Sequence, residues 1–167
     1  PRNTWGPPIE AAKYDAGTAF AVFDDHRRSN WTPYLYKTTD YGKTWTKIVN
    51  GIAPNHYTRA LRADPVRPGL LYAGTEWGMY ISFDDGAHWQ PFQLNLPITA
   101  IRDLHIKDES LIAATHGRSF WMIDDLGPVR QLSQEIANKS QHLYQPKPAY
   151  RMAQTNRRGD GALRLNG

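Results

Sequence analysis

The sequence predicts an all-β fold assembled from short repeated units, and three observations carry that prediction. A sequence pattern recurs along the chain with a spacing of 44 residues. Six Trp, nine Tyr and five Phe, together with 13 Gly and 12 Pro, favour short strands joined by tight turns. No long segment with the 3.6-residue period of an amphipathic helix precedes residue 130.

The recurring pattern, which we call the box, reads Ser/Thr-x-Asp-x-Gly-x-Thr/His-Trp. Its first copy occupies residues 38–45 and its second copy residues 82–89. A third, eroded copy occupies residues 122–127, with Asp124 in place of the box aspartate. A period of roughly 40–45 residues is typical of a four-stranded propeller blade. The sequence therefore predicts a partial β-propeller of three four-stranded blades, a fragment or one half of a larger ring.

Short aromatic or β-branched runs, separated by Gly, Pro and Asp, supply the strands of each predicted blade. The blades span about residues 9–50, 57–95 and 98–132, so that the propeller part covers residues 1–132. The expected strands are 9–14, 18–23, 34–38 and 44–49, then 57–63, 70–74, 79–83 and 89–94, then 98–106, 110–114, 120–123 and a fourth near 129–132. Residues 133–167 are expected to be a basic exit segment or linker that begins with a short helix.

The positive charge belongs to the end of the chain. The net charge is +4, yet residues 1–126 carry 13 basic and 14 acidic side chains, whereas residues 127–167 carry seven basic and two acidic ones. A nucleic-acid-binding domain is expected to carry a basic stripe on its folded body. The near-neutral body disfavours a nucleic-acid partner, and the tail is interpreted as a solvated segment.

Several other classes are disfavoured by composition. No apolar run reaches the roughly 18–20 residues of a membrane span, so we expect none. The sequence has no Cys, so it has no disulfide framework. His56, His88 and His105 lack metal-ligand spacing, and no loop has the spacing of an EF-hand. We therefore expect neither a metal nor a cofactor.

The box residues are interpreted as structural. A box carboxylate can accept backbone N–H groups of its own turn, the Gly supplies a positive φ, and the Trp fills space between its blade and the next. We therefore expect turn-holding rather than catalytic roles for Asp40, Gly42, Trp45, Asp84, Gly86, Trp89 and Asp124.

These boxes resemble those of Asp-box (BNR) repeat proteins, which include sialidases, sortilin-type propellers and xyloglucanase-type glycoside hydrolases. Residues 60–76, 81–89 and 114–121 are also similar to a bacterial group labelled sortilin-like or glycosyl hydrolase, BNR repeat. The resemblance covers roughly residues 10–132. It implies that ligands bind on the face away from the boxes. We also expect the protein to be secreted or periplasmic.

The loops expected on that face join the second and third strands of each blade, at residues 24–33, 75–78 and 115–119, and successive blades, at residues 50–56 and 95–97. Their aromatic, basic and acidic side chains are those of a site for a sugar, a carboxylate or a peptide. The ligand-binding candidates are His26, Arg28, Trp31, Glu76, Trp77, His116 and Arg118.

Two functions fit this sequence. The first is a binding or scaffold module that presents loops to a peptide, protein or glycan, and that is not an enzyme on its own. The alternative is a fragment of a BNR-repeat glycoside hydrolase that contributes part of a carbohydrate-cleaving site. Such a site needs two carboxyl groups across the scissile bond, for which Asp25 and Glu76 are the candidates.

Three blades do not close a ring, because closed propellers have about four to eight blades. Two sheet faces would then remain open, and exposed apolar faces of this kind mark assembly surfaces. The expected partners are therefore the remaining blades of a parent propeller or a second copy of the chain.

Overall fold

The chain forms three antiparallel sheets that lie side by side, as seen in a computed structural model that describes residues 9–148. The first two sheets have four strands each and the third has three. Each sheet is one blade, so the predicted all-β, partial propeller architecture is confirmed. The strands are β1 (Ile9–Ala11), β2 (Ala19–Phe23), β3 (Tyr34–Thr38), β4 (Thr46–Lys47), β5 (Thr58–Ala63), β6 (Leu71–Thr75), β7 (Gly78–Ser82), β8 (Gln90–Pro91), β9 (Ile101–Lys107), β10 (Ser110–Thr115) and β11 (Phe120–Ile123).

Within each blade the strands are ordered as they follow one another in the chain. Ala21 of β2, for example, pairs with Ile9 of β1 on one side and with Tyr36 of β3 on the other. The first strands of the three blades are neighbours, since β5 contacts both β1 and β9. These first strands therefore form the inner rim of the array, and β4 and β8 lie at its outer edge.

Two apolar layers hold the blades together. The layer between the first and second blades contains Phe20, Leu35, Leu71 and Trp89. The layer between the second and third blades contains Tyr72, Ile81, Ile101, Leu104 and Leu111. Strands β6 and β7 are buried along their whole length, because neighbouring sheets cover both of their faces.

The first box forms a turn that its own side chains hold closed. Asp40 Oδ1 accepts the Thr44 backbone N–H at 2.9 Å, and its Oδ2 accepts the Thr44 hydroxyl at 2.7 Å. Thr38 Oγ1 accepts the Gly42 backbone N–H at 2.9 Å. Gly42 itself has a φ of +84°, which is the conformation that favours glycine.

The second box repeats this turn and adds contacts to the first blade. Asp84 Oδ1 accepts the His88 backbone N–H at 2.8 Å. The next residue, Asp85, forms an ion pair with Lys37 and accepts the Tyr14 hydroxyl at 3.3 Å. The box turn of one blade is thus anchored to the blade before it.

The two box tryptophans differ in their surroundings. Trp89 is 4% exposed, and its Nε1 donates to the Ile48 carbonyl of the preceding blade at 2.8 Å. Trp45 is 39% exposed, and its Nε1 donates to Gly42 in its own turn at 3.1 Å. The expectation that each ring packs towards the following blade was wrong in direction. Trp89 packs on the preceding blade, and residues 9–148 place no preceding blade beside Trp45.

The third blade departs from the predicted plan at its outer edge. The fourth strand expected near residues 129–132 is wrong, because helix α1 (Gly127–Gln131) takes up that segment. Pro128 in the first turn of α1 suits a helix start, where its missing N–H costs nothing. A second short helix, α2 (Gln134–Ala137), follows and is capped by Ser133, near the predicted one. Residues 149–167 of the predicted exit segment lie outside the described residues.

The strand register also shows that the aspartate of the third box lies one position later than the sequence pattern predicted. Ala113 pairs with Trp121 as Ala73 pairs with Tyr80, so Trp121 corresponds to Tyr80. Counting on from that pair aligns Asp125, not the predicted Asp124, with Asp84. The Asp125 carboxylate accepts the Gly127 backbone N–H at 2.9 Å. The one-residue shift arises because the eroded copy keeps the Asp-x-Gly spacing at Asp125 and not at Asp124.

Candidate functional site

The candidate site lies where the loop after β2 meets the start of β5. A 3-10 turn over His26–Arg28 shapes this loop. Asp24 Oδ1 accepts the His26 backbone N–H at 3.0 Å and lies 2.6 Å from the His26 ring Nδ1. Asn30 Nδ2 donates to Asp25 Oδ2 at 3.2 Å. Both carboxylates of the loop are therefore engaged in fixing its shape.

Arg59 connects the other residues of the site. Its Nε donates to Glu76 Oε2 at 2.7 Å, its Nη1 lies 3.5 Å from Asp24 Oδ2, and its Nη2 donates to the Tyr57 hydroxyl at 2.5 Å. The Arg59 side chain is 13% exposed. One guanidinium thus joins the loop after β2 and the loop after β6 to strand β5, which is a charge-assisted arrangement with strong, directional hydrogen bonds.

The ring of Tyr57 forms the floor of an aromatic cluster. The His26 ring stacks on it with centroids 4.9 Å apart and an interplanar angle of 15°. The centroids of the Trp31 and Tyr57 rings are 5.5 Å apart, and the Arg59 guanidinium lies 4.8 Å from the centroid of the Tyr57 ring. Tyr57 is buried, whereas Trp31 is 50% exposed. Trp31 therefore presents an open indole on an ordered support.

Burial and hydrogen bonding set the charges of this cluster. Burial raises the pKa of Tyr57 to about 12, and the hydrogen bond to Glu76 acts in the same direction, so its phenol stays neutral. For Glu76, burial acts to raise the pKa, but hydrogen bonds from Tyr57 and Arg59 outweigh it and leave the pKa below its usual value. Glu76 is therefore an ionised acceptor at neutral pH.

A second indole lies on the turn between β6 and β7. Thr75 Oγ1 accepts the Trp77 backbone N–H at 3.2 Å and donates to the Gly78 carbonyl at 2.9 Å. The His56 ring stacks on Trp77 at 6.0 Å, and its Nδ1 lies 2.8 Å from the Tyr80 hydroxyl. Trp77 is 48% exposed. Burial lowers the pKa of His56, which favours a neutral ring beneath the indole.

Arg102 of β9 lies beside the loop of the third blade. The Arg102 Nη2 contacts His116 Nδ1 at 2.5 Å, and its charge also lowers the pKa of Glu76. The loop itself is a tight turn in which the Arg118 carbonyl accepts Trp121 Nε1 at 2.8 Å. Arg102 thus contacts the third loop, and its positive charge acts on Glu76 of the second loop.

The structure brings several of the predicted residues together and sets others apart. His26, Trp31 and Glu76 meet around Tyr57 and Arg59, and Trp77 follows Glu76 on the next turn. Arg28 lies 3.7 Å from Asp25 within its own loop. His116 and Arg118 belong to the third loop. The ligand-binding role of these residues stays a prediction.

Sequence reasoning missed the residues that hold the loops, namely Tyr57, Arg59 and Arg102. Tyr57 immediately precedes β5 and Arg59 is its second residue, and the Arg59 guanidinium lies over the Tyr57 ring. Arg102 is the second residue of β9, as Arg59 is the second residue of β5. An Arg at the same position of two consecutive first strands was the available signal.

The carboxyl pair proposed for catalysis is arranged differently from the expectation. Glu76 shares a guanidinium with Asp24, not with Asp25. Asp25 lies near Asn30 and Arg28, inside the first loop. A glycosidase general acid needs a raised pKa, and that of Glu76 is lowered. In this arrangement Asp24 and Glu76 anchor their loops to Arg59, and Asp25 anchors its own loop through Asn30. Catalysis by Asp25 and Glu76 stays a prediction.

A charged row crosses the inner rim below this cluster of loops. Arg62 of β5 donates to Asp103 of β9 at 2.8 Å and lies 3.7 Å from Glu10 of β1. Burial raises the pKa of Glu10, against the influence of Arg62. One cation therefore links the first strands of all three blades.

Among residues 9–148, no group of three or more His, Cys, Asp or Glu is arranged to hold a metal ion. The helices in that part of the chain are too short and too polar to cross a membrane.

Comparisons with known proteins address the fold. No family model matches the sequence, and no curated protein does. Among solved structures, a GH74 enzyme of Niastella koreensis is 14% identical over 72% of this chain and 21% of that one, with a TM-score of 0.55. The GH74 xyloglucanase of Xanthomonas campestris is 15% identical over 74% of this chain and 22% of that one, with a TM-score of 0.56.

An ancestral GH74 enzyme is likewise similar, with 20% identity, a TM-score of 0.54, and coverage of 71% of this chain and 15% of that one. The chain thus spans about a fifth or less of the length of the structures it resembles. At these identities the likeness concerns the fold. The chain therefore has the architecture of part of a β-propeller.

Proposed function

We propose that this chain is a binding module, a partial propeller of the Asp-box type that presents its loops to a peptide, protein or glycan ligand. The observation that carries the proposal is the cluster around Arg59. There and on the next turn, two half-exposed indoles, Trp31 and Trp77, pack on the rings of Tyr57 and His56. Tyr57 is in turn hydrogen-bonded to Arg59, and His56 to Tyr80.

The support beneath the indoles is ordered before any ligand arrives. Arg59 fixes Glu76 and Asp24, and Tyr57 lies between Arg59 and Trp31. A preorganised site loses less side-chain entropy on binding than a flexible one. Exposed aromatic side chains on rigid supports are the residues that most often dominate the free energy of binding.

The charges of the cluster favour a neutral, polar ligand surface. The carboxylates of Glu76 and Asp24 are matched by the guanidinium of Arg59, and Arg102 adds a second cation near Glu76. Because these charges balance one another, a strongly charged ligand gains little here. A sugar or a peptide segment that places an apolar face on the indoles fits this balance.

The test uses the full 167-residue chain on glycan and peptide arrays, followed by calorimetric titration of each ligand that binds. Trp31→Ala and Trp77→Ala should each weaken binding by about tenfold or more. Trp45→Ala is the matched control, because it removes an indole from the first box turn, and it should change the affinity by less than about twofold. Equal binding by a Trp31→Ala/Trp77→Ala double variant would contradict the proposal.

A glycoside-hydrolase fragment is the second candidate, because the loops that carry Asp25 and Glu76 converge on Arg59 through Asp24 and Glu76. Under this alternative, Glu76→Gln and Asp25→Asn should remove hydrolysis of a soluble polysaccharide while the folded circular dichroism spectrum is kept. A wild-type chain that binds a glycan and hydrolyses none of a polysaccharide panel supports the binding module instead.

A further inference from the structure

We call the interface between two neighbouring blades a seam. The seam between the second and third blades can be compared position by position with the seam between the first and second blades. Lys47 pairs with Tyr36 as Pro91 pairs with Tyr80, so residues 48–52 correspond to residues 92–96. The hydrogen bonds agree, since the Ile48 N–H donates to Leu35 and the Phe92 N–H donates to Met79, both at 2.9 Å. The first seam is therefore a template for the second.

In the first seam, the space beside residues 48–52 is filled by an indole. Trp89 donates its Nε1 to the Ile48 carbonyl and its backbone N–H to the Asn50 carbonyl, both at 2.8 Å. The strand register that aligns Trp121 with Tyr80 puts Arg130 at the position of Trp89. Arg130 instead contacts Asp64 at 3.0 Å, away from residues 92–96.

The second seam consequently contains an apolar groove, which we call the seam groove. It is lined by Met79, Phe92, Leu94, Leu96, Leu111 and Trp121. Leu94 is 68% exposed, and Met122, which also borders the groove, is 58% exposed. The polar residues that border it, Gln93 and Asn95, are uncharged.

The sheet edge beside the seam groove also lacks a partner strand within residues 9–148. Strands β3 and β7 each pair with a two-residue outer strand, β4 and β8. Within residues 9–148, β11 has β10 on one side and no strand on the other, because the chain turns into α1 after the third box. By strand register, Phe120 of β11 corresponds to Leu35 of β3 and Met79 of β7. The carbonyls of Leu35 and Met79 each accept a backbone N–H from the segment that follows the outer strand of their blade.

We propose that the β11 edge and the seam groove together bind a short extended segment of another polypeptide, antiparallel to β11, with one aromatic side chain in the groove. The second blade shows what such an occupant looks like, namely a short outer strand, β8, preceded by Trp89, which inserts into the seam. An open edge supplies backbone hydrogen bonds, and the neighbouring apolar pocket selects the side chain. The site shares none of the residues clustered around Arg59.

The test measures binding of a fluorescein-labelled synthetic peptide with the sequence of residues 86–93 to the full chain by fluorescence anisotropy. This peptide carries the Trp and outer strand of the second blade. Saturable binding is expected, together with at least about a tenfold loss when the Trp of the peptide is replaced by Ala. Absence of binding to the folded chain, or equal binding of the Ala peptide, would overturn the proposal.

A pair of exposed substitutions in the chain locates the site. Met122→Glu puts a charge beside the groove and should weaken peptide binding about tenfold or more, whereas Val66→Glu, at a residue that is 63% exposed and lies outside the groove, should have little effect. Equal effects of the two variants would contradict the proposal. Light scattering that shows a dimer disrupted by Met122→Glu would also overturn it, because the edge would then belong to a second copy.

Discussion

Trp89 lies so close to Gly51 that a Cβ at position 51 would be 2.1 Å from the Trp89 carbonyl oxygen. The contact joins the loop after β4 to the start of β8, across the seam between the first two blades. Gly51 also has a φ of +95°, which side chains rarely adopt. The seam therefore depends on a glycine at this position for both its backbone conformation and its close approach.

Gly51→Ala should destabilise the chain by about 3 kcal/mol or more, because a left-handed φ costs about 1–2 kcal/mol and the overlap forces the backbone apart. Gly117→Ala is the matched control, since Gly117 has a φ of +82° and a Cβ added there would meet no atom within 4 Å. It should cost about 1–2 kcal/mol. Urea denaturation measures both variants, and equal losses would show that the close approach is unimportant.

The two box tryptophans should differ in their contribution to the free energy of unfolding. Trp89→Ala leaves a cavity in the first seam and an unpaired Ile48 carbonyl, and should cost about 3–5 kcal/mol. Trp45→Ala removes an indole that is 39% exposed and should cost less than about 1.5 kcal/mol. Chemical denaturation of both variants checks the difference. A larger loss for Trp45→Ala would mean that its ring is covered in the folded protein.

Acid should weaken the first box turn. The Thr44 backbone N–H and hydroxyl, together with Thr38, lower the pKa of Asp40 from 3.8 to about 2. Because the folded pKa lies below the unfolded one, the carboxylate stabilises the fold fully above about pH 4 and progressively less as the pH falls towards 2. Thermal unfolding from pH 6 to pH 2 should show Asp40→Asn converging with the wild type. A constant gap would contradict this titration.

Arg130 anchors helix α1 to the second blade. Its guanidinium contacts Asp64, which is fully buried, and Glu109 at 2.6 Å. Arg130→Met leaves the Asp64 charge without this partner and should cost about 3–5 kcal/mol. Lys139→Met breaks an exposed pair with Glu135 and should cost less than about 0.5 kcal/mol. Denaturation curves compare the two, and a neutral Arg130→Met would show that the pair is dispensable.

Most of the fold is predictable from the repeat. The box spacing and the alternating apolar runs place the eleven strands of residues 9–148 near their observed positions, since box turns and strand period are properties of local sequence. The outer edge of the third blade was not predictable in the same way. There Pro128 lies in the first turn of a helix, and Arg130 bonds to Asp64, which lies 66 residues earlier in the chain.

The candidate site is less predictable than the fold. The exposed loop residues Trp31 and Trp77 stand out in the sequence, because large aromatic side chains are unusual on exposed loops. Arg59 does not stand out, because its importance arises from two loops that converge on it in space. The choice between Asp24 and Asp25 as the partner of Arg59 likewise depends on the conformation of the 3-10 turn, which sequence period does not determine.

Hydrogen exchange of the chain, with and without a ligand found on the arrays, tests whether the loops around Arg59 form the binding site. A ligand bound on the cluster around Arg59 should slow amide exchange in residues 24–31, 56–59 and 75–78 and leave the box turns at residues 38–45 and 82–89 unchanged. Protection of the box turns, with the three loop segments unaffected, would contradict the account.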